Sequence, residues 1–342
     1  MKQLRVAIVG AGTWGAAHAS IYNEHPGATP VAICDVNRVL AERFAREHAI
    51  PEVYTDHREM LARCACDTVA IVTPDFLHAD IAVDCANAGK ALLIEKPLAT
   101  TRDDVFRTAE AIERNGVRAM VDLHNRWNPP FNAIKQLVST GQYGKAISGH
   151  CRLTDKVWVA TDMLSWVSRS SILWFLGSHS LDTLNWLIDD LPRTVYAVKR
   201  EGKLKAMGIG AVDSYMTTIQ YEHGAIAQME NAWITPNGNS NINDFKFNLL
   251  CEEGKFDVDA SSHGLLQVTD AERMITEDIL VKNFVFGKCK GFAYESIRSF
   301  VDKVLSDEPF HVSLREAANV SLAILAIMQS AETGLPVEVE HI

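Results

Sequence analysis

What this chain lacks narrows it before any motif is read. No apolar run among its 342 residues reaches the roughly 20 needed to cross a bilayer. Positive charge is in short supply. Lys and Arg number 33 against 43 acids, a formal net charge of −10, and the basic residues are scattered. Nucleic acid needs a dense basic surface, so it is an unsuitable partner. There is no CxxC. The cysteines number seven, an odd count, and Cys64 and Cys66 stand one residue apart, a spacing that suits neither a zinc knuckle nor a redox pair. They read as buried free thiols in a reduced compartment, and no metal is expected. Met1-Lys2-Gln3-Leu4-Arg5 runs straight into a strand-like segment without an h-region or a cleavage site. A cytoplasmic protein is expected.

What is present is a long globular chain. Hydrophobic residues make up 47% and charged residues 22%, which excludes a disordered or fibrous protein, and the length suits two domains. The first third alternates between short apolar runs (Leu4–Val9, Pro30–Cys34, Thr68–Val72, Ala91–Ile94, Ala119–Val121) and helical spacing (Trp14–Glu24, Arg38–His48, Phe76–Ala88, Arg102–Asn115). Strands without polar alternation are buried on both faces, so a doubly wound parallel sheet is expected over residues 1–122. After about Leu123 the pattern changes. Asn128-Pro129-Pro130 breaks the chain and a helix follows at Phe131–Ser139. Alternating segments then appear at Ala146–Thr154, Thr194–Lys199, Ser214–Tyr221, Ala225–Ala232, Phe245–Cys251 and Lys255–Asp259, with one strong helix at Leu173–Ile188. Residues 123–342 therefore read as an α+β domain on a large open, mostly antiparallel sheet. Helices at Ala293–Leu305 and Ser313–Thr333 close the chain, and the last is a candidate to pack back on the first domain. An open sheet needs its other face covered, so a homodimer or homotetramer is expected.

Gly10-Ala11-Gly12-Thr13-Trp14-Gly15 follows the first strand and opens the first helix. That context makes a weak GxGxxG pattern a dinucleotide fingerprint. Gly10 allows the tight turn, Gly12 lets a pyrophosphate approach, and Gly15 lets helix and strand pack closely. Asp35 ends the second strand, where a carboxylate can bind both adenosine ribose hydroxyls and repel a 2′-phosphate. NAD is expected over NADP, with Arg38 just beyond able to soften the preference. Thr73-Pro74-Asp75-Phe76-Leu77-His78 and Glu95-Lys96-Pro97 end two further strands at the carboxyl edge, where open α/β sheets bind ligands. Gly177-Ser178-His179-Ser180-Leu181-Asp182 lies inside an otherwise apolar helix. By itself His179 reads as a satisfied core residue or as a catalyst.

Together these motifs resemble the Gfo/Idh/MocA family, named for glucose–fructose oxidoreductase and inositol dehydrogenase. The likeness spans nearly the whole chain. It rests on Gly10–Gly15, Thr73–His78, Ala88-Gly89-Lys90 with Glu95-Lys96-Pro97, Arg126 to Pro130, Gly141 to Gly144, and Gly177, His179 and Asp182. It implies NAD(P) chemistry on sugars, cyclitols and related polyols. It implies that Lys96 is the active-site lysine and that Pro97 follows a cis peptide bond. It places Thr73, Pro74, His78, Glu95 and Lys96 beside the cofactor, with Thr13 and Trp14 in the turn itself. Many dehydrogenases of the family carry an Asp four residues before the His, where this chain has Phe175. That shifts the substrate pocket toward an apolar wall.

Alcohol oxidation needs a hydride acceptor, a proton acceptor and a stabiliser for the developing alkoxide. Lysine titrates near about 10.4 and histidine near about 6.5. His179 is therefore favoured as proton acceptor and Lys96 as charged stabiliser, with the reverse assignment open. Lys156, Asp162, Trp166 and Arg169 form a polar-aromatic stretch before the His helix, of which Lys156, Trp166 and Arg169 join Lys96, Arg126, Phe175 and His179 as expected substrate contacts. Two alternatives remain at this point: an NAD-using glycosidase of the same family, and a non-catalytic cofactor-binding sensor or repressor.

Overall fold

The computed structural model describes residues 3–261, 266–269, 271–272, 274–276 and 279–342. Contacts divide the chain into two compact units. The first comprises Met1–His124, Val281–Ala318 and Ile342, and the second Asn125–Leu280 and Asn319–His341.

The first unit alternates β1 (Leu4–Val9), α1 (Thr13–Glu24), β2 (Ala28–Cys34), α2 (Arg38–His48), β3 (Glu52–Tyr54), α3 (His57–Arg63), β4 (Thr68–Ile71), α4 (His78–Asn87), β5 (Ala91–Glu95), α5 (Arg102–Arg114) and β6 (Ala119–Asp122). The six strands are all parallel, in the order β3-β2-β1-β4-β5-β6. Val6, Ala7 and Ile8 of β1 and Leu92, Leu93 and Ile94 of β5 are fully buried, as strands covered on both faces require. Strand order reverses between β1 and β4, the point beyond whose carboxyl ends such sheets bind ligands. Two elements escape the apolar periodicity: β3 has three residues, and α3 buries only Met60. Asp56 marks α3 all the same, because its carboxylate accepts from the Arg58 and Glu59 N–H groups. A later helix, running from Phe292 to Ser306, packs on α1, β5 and β6 within this unit.

The second unit holds α6 (Pro129–Val138), β7 (Ala146–Lys156), α7 (Ser178–Ile188), β8 (Pro192–Arg200), the short α8 (Lys203–Ala206), β9 (Ser214–Tyr221), β10 (Ile226–Thr235), β11 (Asn243–Cys251) and β12 (Gly254–Asp259). Its sheet runs β12-β11-β7-β10-β9-β8, with the short strand Val337–Glu338 beside β8. β7 and β10 are parallel and the other neighbours antiparallel. One face is buried: Cys151, Leu153, Ile219, Met229, Phe245 and Phe247 pack with Phe131 of α6, Leu181 and Leu184 of α7, and Ile324 and Ile327 of the last helix. The other face carries exposed Tyr196, Val198, Met216, Ile226 and Leu250.

The expected single helix Leu173–Ile188 is two pieces. Leu173–Gly177 is a π turn and α7 begins at Ser178. The Ser178 N–H reaches back to the Leu173 carbonyl, while the Ser178 hydroxyl donates to the Trp174 carbonyl at 2.9 Å. The acceptor a regular helix reserves for an N–H is thus taken by a side chain. Single π turns are frequent at functional sites.

Candidate functional site

In the first unit the glycine turn is built by exclusion. Gly10 has φ +112, and a Cβ there would lie 2.3 Å from the Val72 carbonyl oxygen. A Cβ on Gly15 would lie 2.2 Å from the Gly10 carbonyl oxygen. A Cβ on Gly12 would meet no described atom within 4 Å, so the backbone there is open to a ligand. α1 starts at this turn with no side-chain cap and no acid in its first turn. Its leading N–H groups and the positive end of its dipole therefore face outward from Gly12, Thr13 and Trp14. Asp35 follows β2 beside the turn. Its Oδ2 accepts from the Ala11 N–H at 2.9 Å and its Oδ1 from the Asn37 N–H at 2.8 Å. Each oxygen keeps a second lone pair. Arg38 is exposed and pairs with Glu42 at 2.8 Å.

Two side chains at the strand ends beside the turn are buried. His78 is buried, with Nδ1 2.7 Å from the Pro97 carbonyl oxygen and Nε2 2.9 Å from the Thr73 carbonyl oxygen. It braces the Thr73 loop against the Lys96–Pro97 loop. Glu95 is buried as well, and its Oε1 lies 3.0 Å from His18 Nε2, whose Nδ1 lies 3.1 Å from the Tyr22 hydroxyl. A carboxylate only accepts, so the His18 Nε2–H donates to Glu95. Glu95 therefore ties β5 to α1 from below. Lys96 is half-buried at the strand end, and the Lys96–Pro97 bond is cis as expected. Pro74 is half-buried too.

Sequence reading missed His18, Asp122 and His124. Polar atoms of His18, Glu95 and Asp122 lie within 4.8 Å of one another. Burial pushes the Asp122 carboxyl up, but His124, with Nδ1 3.8 Å from Asp122 Oδ2, and His18 outweigh it and hold the group below its ordinary value. The His124 ring lies 5.7 Å from the Trp14 ring. The available signal was positional: His18 stands three residues past Gly15, and Asp122 ends the last strand.

The arrangement fits a dinucleotide. The turn offers an uncapped helix end, the Gly12 backbone is clear, and Asp35 has spare acceptor capacity. The Thr73 hydroxyl and the Trp14 indole nitrogen are buried and find no hydrogen-bond partner among the described residues.

In the second unit His179 is buried at the first turn of α7, and its carbonyl accepts from the Thr183 hydroxyl at 2.7 Å. Phe175, one turn earlier, lies 6.4 Å from the Trp166 ring and 6.1 Å from the Trp233 ring. Phe175 thus lies between two tryptophan rings. Arg126 is held by an acid within this unit. Its guanidinium is buried and forks onto Asp182, Nε to Oδ2 at 3.0 Å and Nη2 to Oδ1 at 2.6 Å, over the Trp186 ring. The fork is committed to α7. Lys156 is half-buried at the end of β7 and Arg169 is exposed on a 3-10 turn.

Comparison with known proteins agrees with this geometry. Residues 4–123 match the family model described as oxidoreductase family, NAD-binding Rossmann fold, and residues 131–257 match the GFO/IDH/MocA C-terminal domain. The chain is 24% identical over 344 residues to scyllo-inositol 2-dehydrogenase (NAD(+)) of Bacillus subtilis, covering 99% of this chain and 97% of that one. It is 26% identical over 304 residues to levoglucosan dehydrogenase of Pseudarthrobacter phenanthrenivorans, covering 79% and 77%. The fold matches scyllo-inositol dehydrogenase from Lactobacillus casei, solved with NAD(H) and scyllo-inositol, at a TM-score of 0.84, 18% identity, and coverage of 98% and 99%. Among the described residues no helix is long and apolar enough to cross a membrane. With both halves matched in order along one chain, this protein belongs to the GFO/IDH/MocA family of oxidoreductases, with an NAD-binding Rossmann fold as its first part.

Proposed function

We propose that this chain is an NAD-dependent dehydrogenase or reductase that moves a hydride between the cofactor and a carbinol or carbonyl carbon of a cyclitol, sugar or related polyol. The observation that carries the reading is the first unit's edge, where an open glycine turn, Asp35 and the Lys96–Pro97 strand end follow β1, β2 and β5 of one parallel sheet. The named relatives support the substrate class: they act on inositols and levoglucosan.

Bound NAD supplies the hydride acceptor or donor. Every other function falls to this chain. The α1 N-terminus and the Gly12 backbone hold the diphosphate. Asp35 accepts from the adenosine ribose hydroxyls, and its charge disfavours a 2′-phosphate. Arg38 is already engaged with Glu42, which leaves less cation to soften that choice. Val36 and Val39 stand 91% and 77% exposed beside Asp35 and offer apolar flanks to the adenine. Lys96 Nζ stabilises the developing alkoxide, and His179 takes the hydroxyl proton as the carbon gives up its hydride. Phe175 and Trp166 offer aromatic faces to the C–H surface of a polyol. Lys156 and Arg169 remain candidate contacts for substrate hydroxyls.

We further propose that the exposed face of the second unit's sheet pairs with a second copy of this chain. Val198 and Met216 are register partners on neighbouring strands of that face and form an exposed apolar pair beside Tyr196.

The test is a panel of inositols, sugars and anhydrosugars supplied with NAD or with NADP, read at the reduced-nicotinamide absorbance band. Net reduction of NAD, with a higher kcat/KM than for NADP, is the expected result. Preference for NADP would contradict the role given to Asp35. Turnover of a glycoside without net reduced cofactor would contradict the reaction class.

A further inference from the structure

The segment Val281–Ala318 belongs to the first unit although the whole second unit precedes it in sequence. It carries a cation to the glycine turn. The Lys282 ammonium lies 5.2 Å from the centre of the Trp14 ring. Trp14 is the second residue of α1, in the same uncapped first turn that contains no acid. The indole face attracts the ammonium and holds it there, but a ring does not neutralise a full charge. Among the described residues Lys282 makes no ion pair with a carboxylate. The residue as a whole is exposed, yet its charged end has lost hydration, which lowers its pKa below the ordinary lysine value. A bound anion would relieve that cost.

Two positive features thus meet at one place. One is the set of free N–H groups at the start of α1, with the partial positive charge of the helix end. The other is a lysine brought in from more than two hundred residues away. A third feature is the buried Trp14 indole nitrogen, a donor with no acceptor among the described residues. We propose that Lys282 is a second cationic contact for the diphosphate of the bound dinucleotide, supplied by the C-terminal segment and steered by Trp14. The inference rests on the first unit as the NAD site and not on any choice of substrate.

The experiment measures dissociation constants of the full-length chain for NAD and for ADP-ribose, by tryptophan fluorescence and calorimetry, over a range of salt. The variants are Lys282→Met, Lys282→Arg and, as a control on the same segment, Lys290→Met. Lys282→Met should weaken both ligands by a similar factor, about 3–10-fold, as expected for one partly screened charge on a phosphate. It should also flatten the salt dependence, because one fewer charge contact is left to screen. Lys282→Arg and Lys290→Met should bind close to the unmodified chain. Equal affinity in Lys282→Met would overturn the assignment while leaving the NAD site standing. Loss for NAD with none for ADP-ribose would overturn it too, because the contact would then be to the nicotinamide half. If the unmodified chain binds neither ligand, both the NAD site and the role of Lys282 fall.

Discussion

The three glycines of the turn look equivalent as letters and are not equivalent as positions. Gly10 combines φ +112 with a blocked Cβ direction, and Gly15 is blocked by the Gly10 carbonyl at 2.2 Å. Alanine at either should destabilise the first unit by at least about 1–3 kcal/mol, the cost of a forced backbone or a shifted contact. Gly12 has φ −78 and an empty Cβ direction. Gly12→Ala should therefore leave the urea midpoint within about 0.5 kcal/mol of the unmodified chain. It should still weaken NAD at least tenfold, because the methyl group stands where the pyrophosphate must approach. A Gly12→Ala chain that binds NAD normally would mean that the ligand does not cross the turn there. The same contrast shows what sequence can tell about residues. The roles of Gly10, Gly12 and Gly15 follow from spacing and context. The inward turn of His78 and Glu95 does not, because the partners that bind them, His18 and the Thr73 and Pro97 carbonyls, come from separate elements.

Among elements, the parallel strands of the first unit were legible because their apolar runs are unbroken. β3 and α3 were not, because three residues and one buried side chain carry no period. In the second unit the alternating strands were legible, and the break in the helix at Gly177 was not. That break is a backbone choice, the Ser178 N–H bonding the Leu173 carbonyl, which no side-chain spacing encodes. The pairing of Arg126 with Asp182 escaped for the same reason, since 56 residues separate them. It joins the turn before α6 to α7, the helix that begins with Ser178 and His179. Asp182→Leu should lower the stability of the second unit by about 3–5 kcal/mol, the usual effect of leaving one member of a buried pair uncompensated. Arg126→Met with Asp182→Leu should recover much of that loss, since two apolar side chains need no partner. Urea denaturation of both variants checks this, and a double variant as unstable as the single one would show that the pair does more than neutralise itself.

For the whole molecule, the exposed apolar side chains Tyr196, Val198, Met216, Ile226 and Leu250 on one sheet face motivate the proposed pairing of two copies. Light scattering at micromolar concentration should report a dimer or tetramer, and Val198→Lys with Met216→Lys should shift it toward a smaller species. A monomer in the unmodified chain would contradict that role for the sheet. The central claim, that this chain performs hydride transfer with Lys96 and His179 handling charge and proton, has a more direct test. It is the turnover of Lys96→Ala and His179→Ala on the polyol that the unmodified chain oxidises best, measured beside NAD affinity. Each variant should lose about 10²–10⁴ in kcat, the usual range for removing a positioned acid or base, while binding NAD within a few-fold of normal. The double variant should be little worse than the poorer single one, because groups that act as a unit are strongly non-additive. Near-normal turnover in Lys96→Ala would contradict the account.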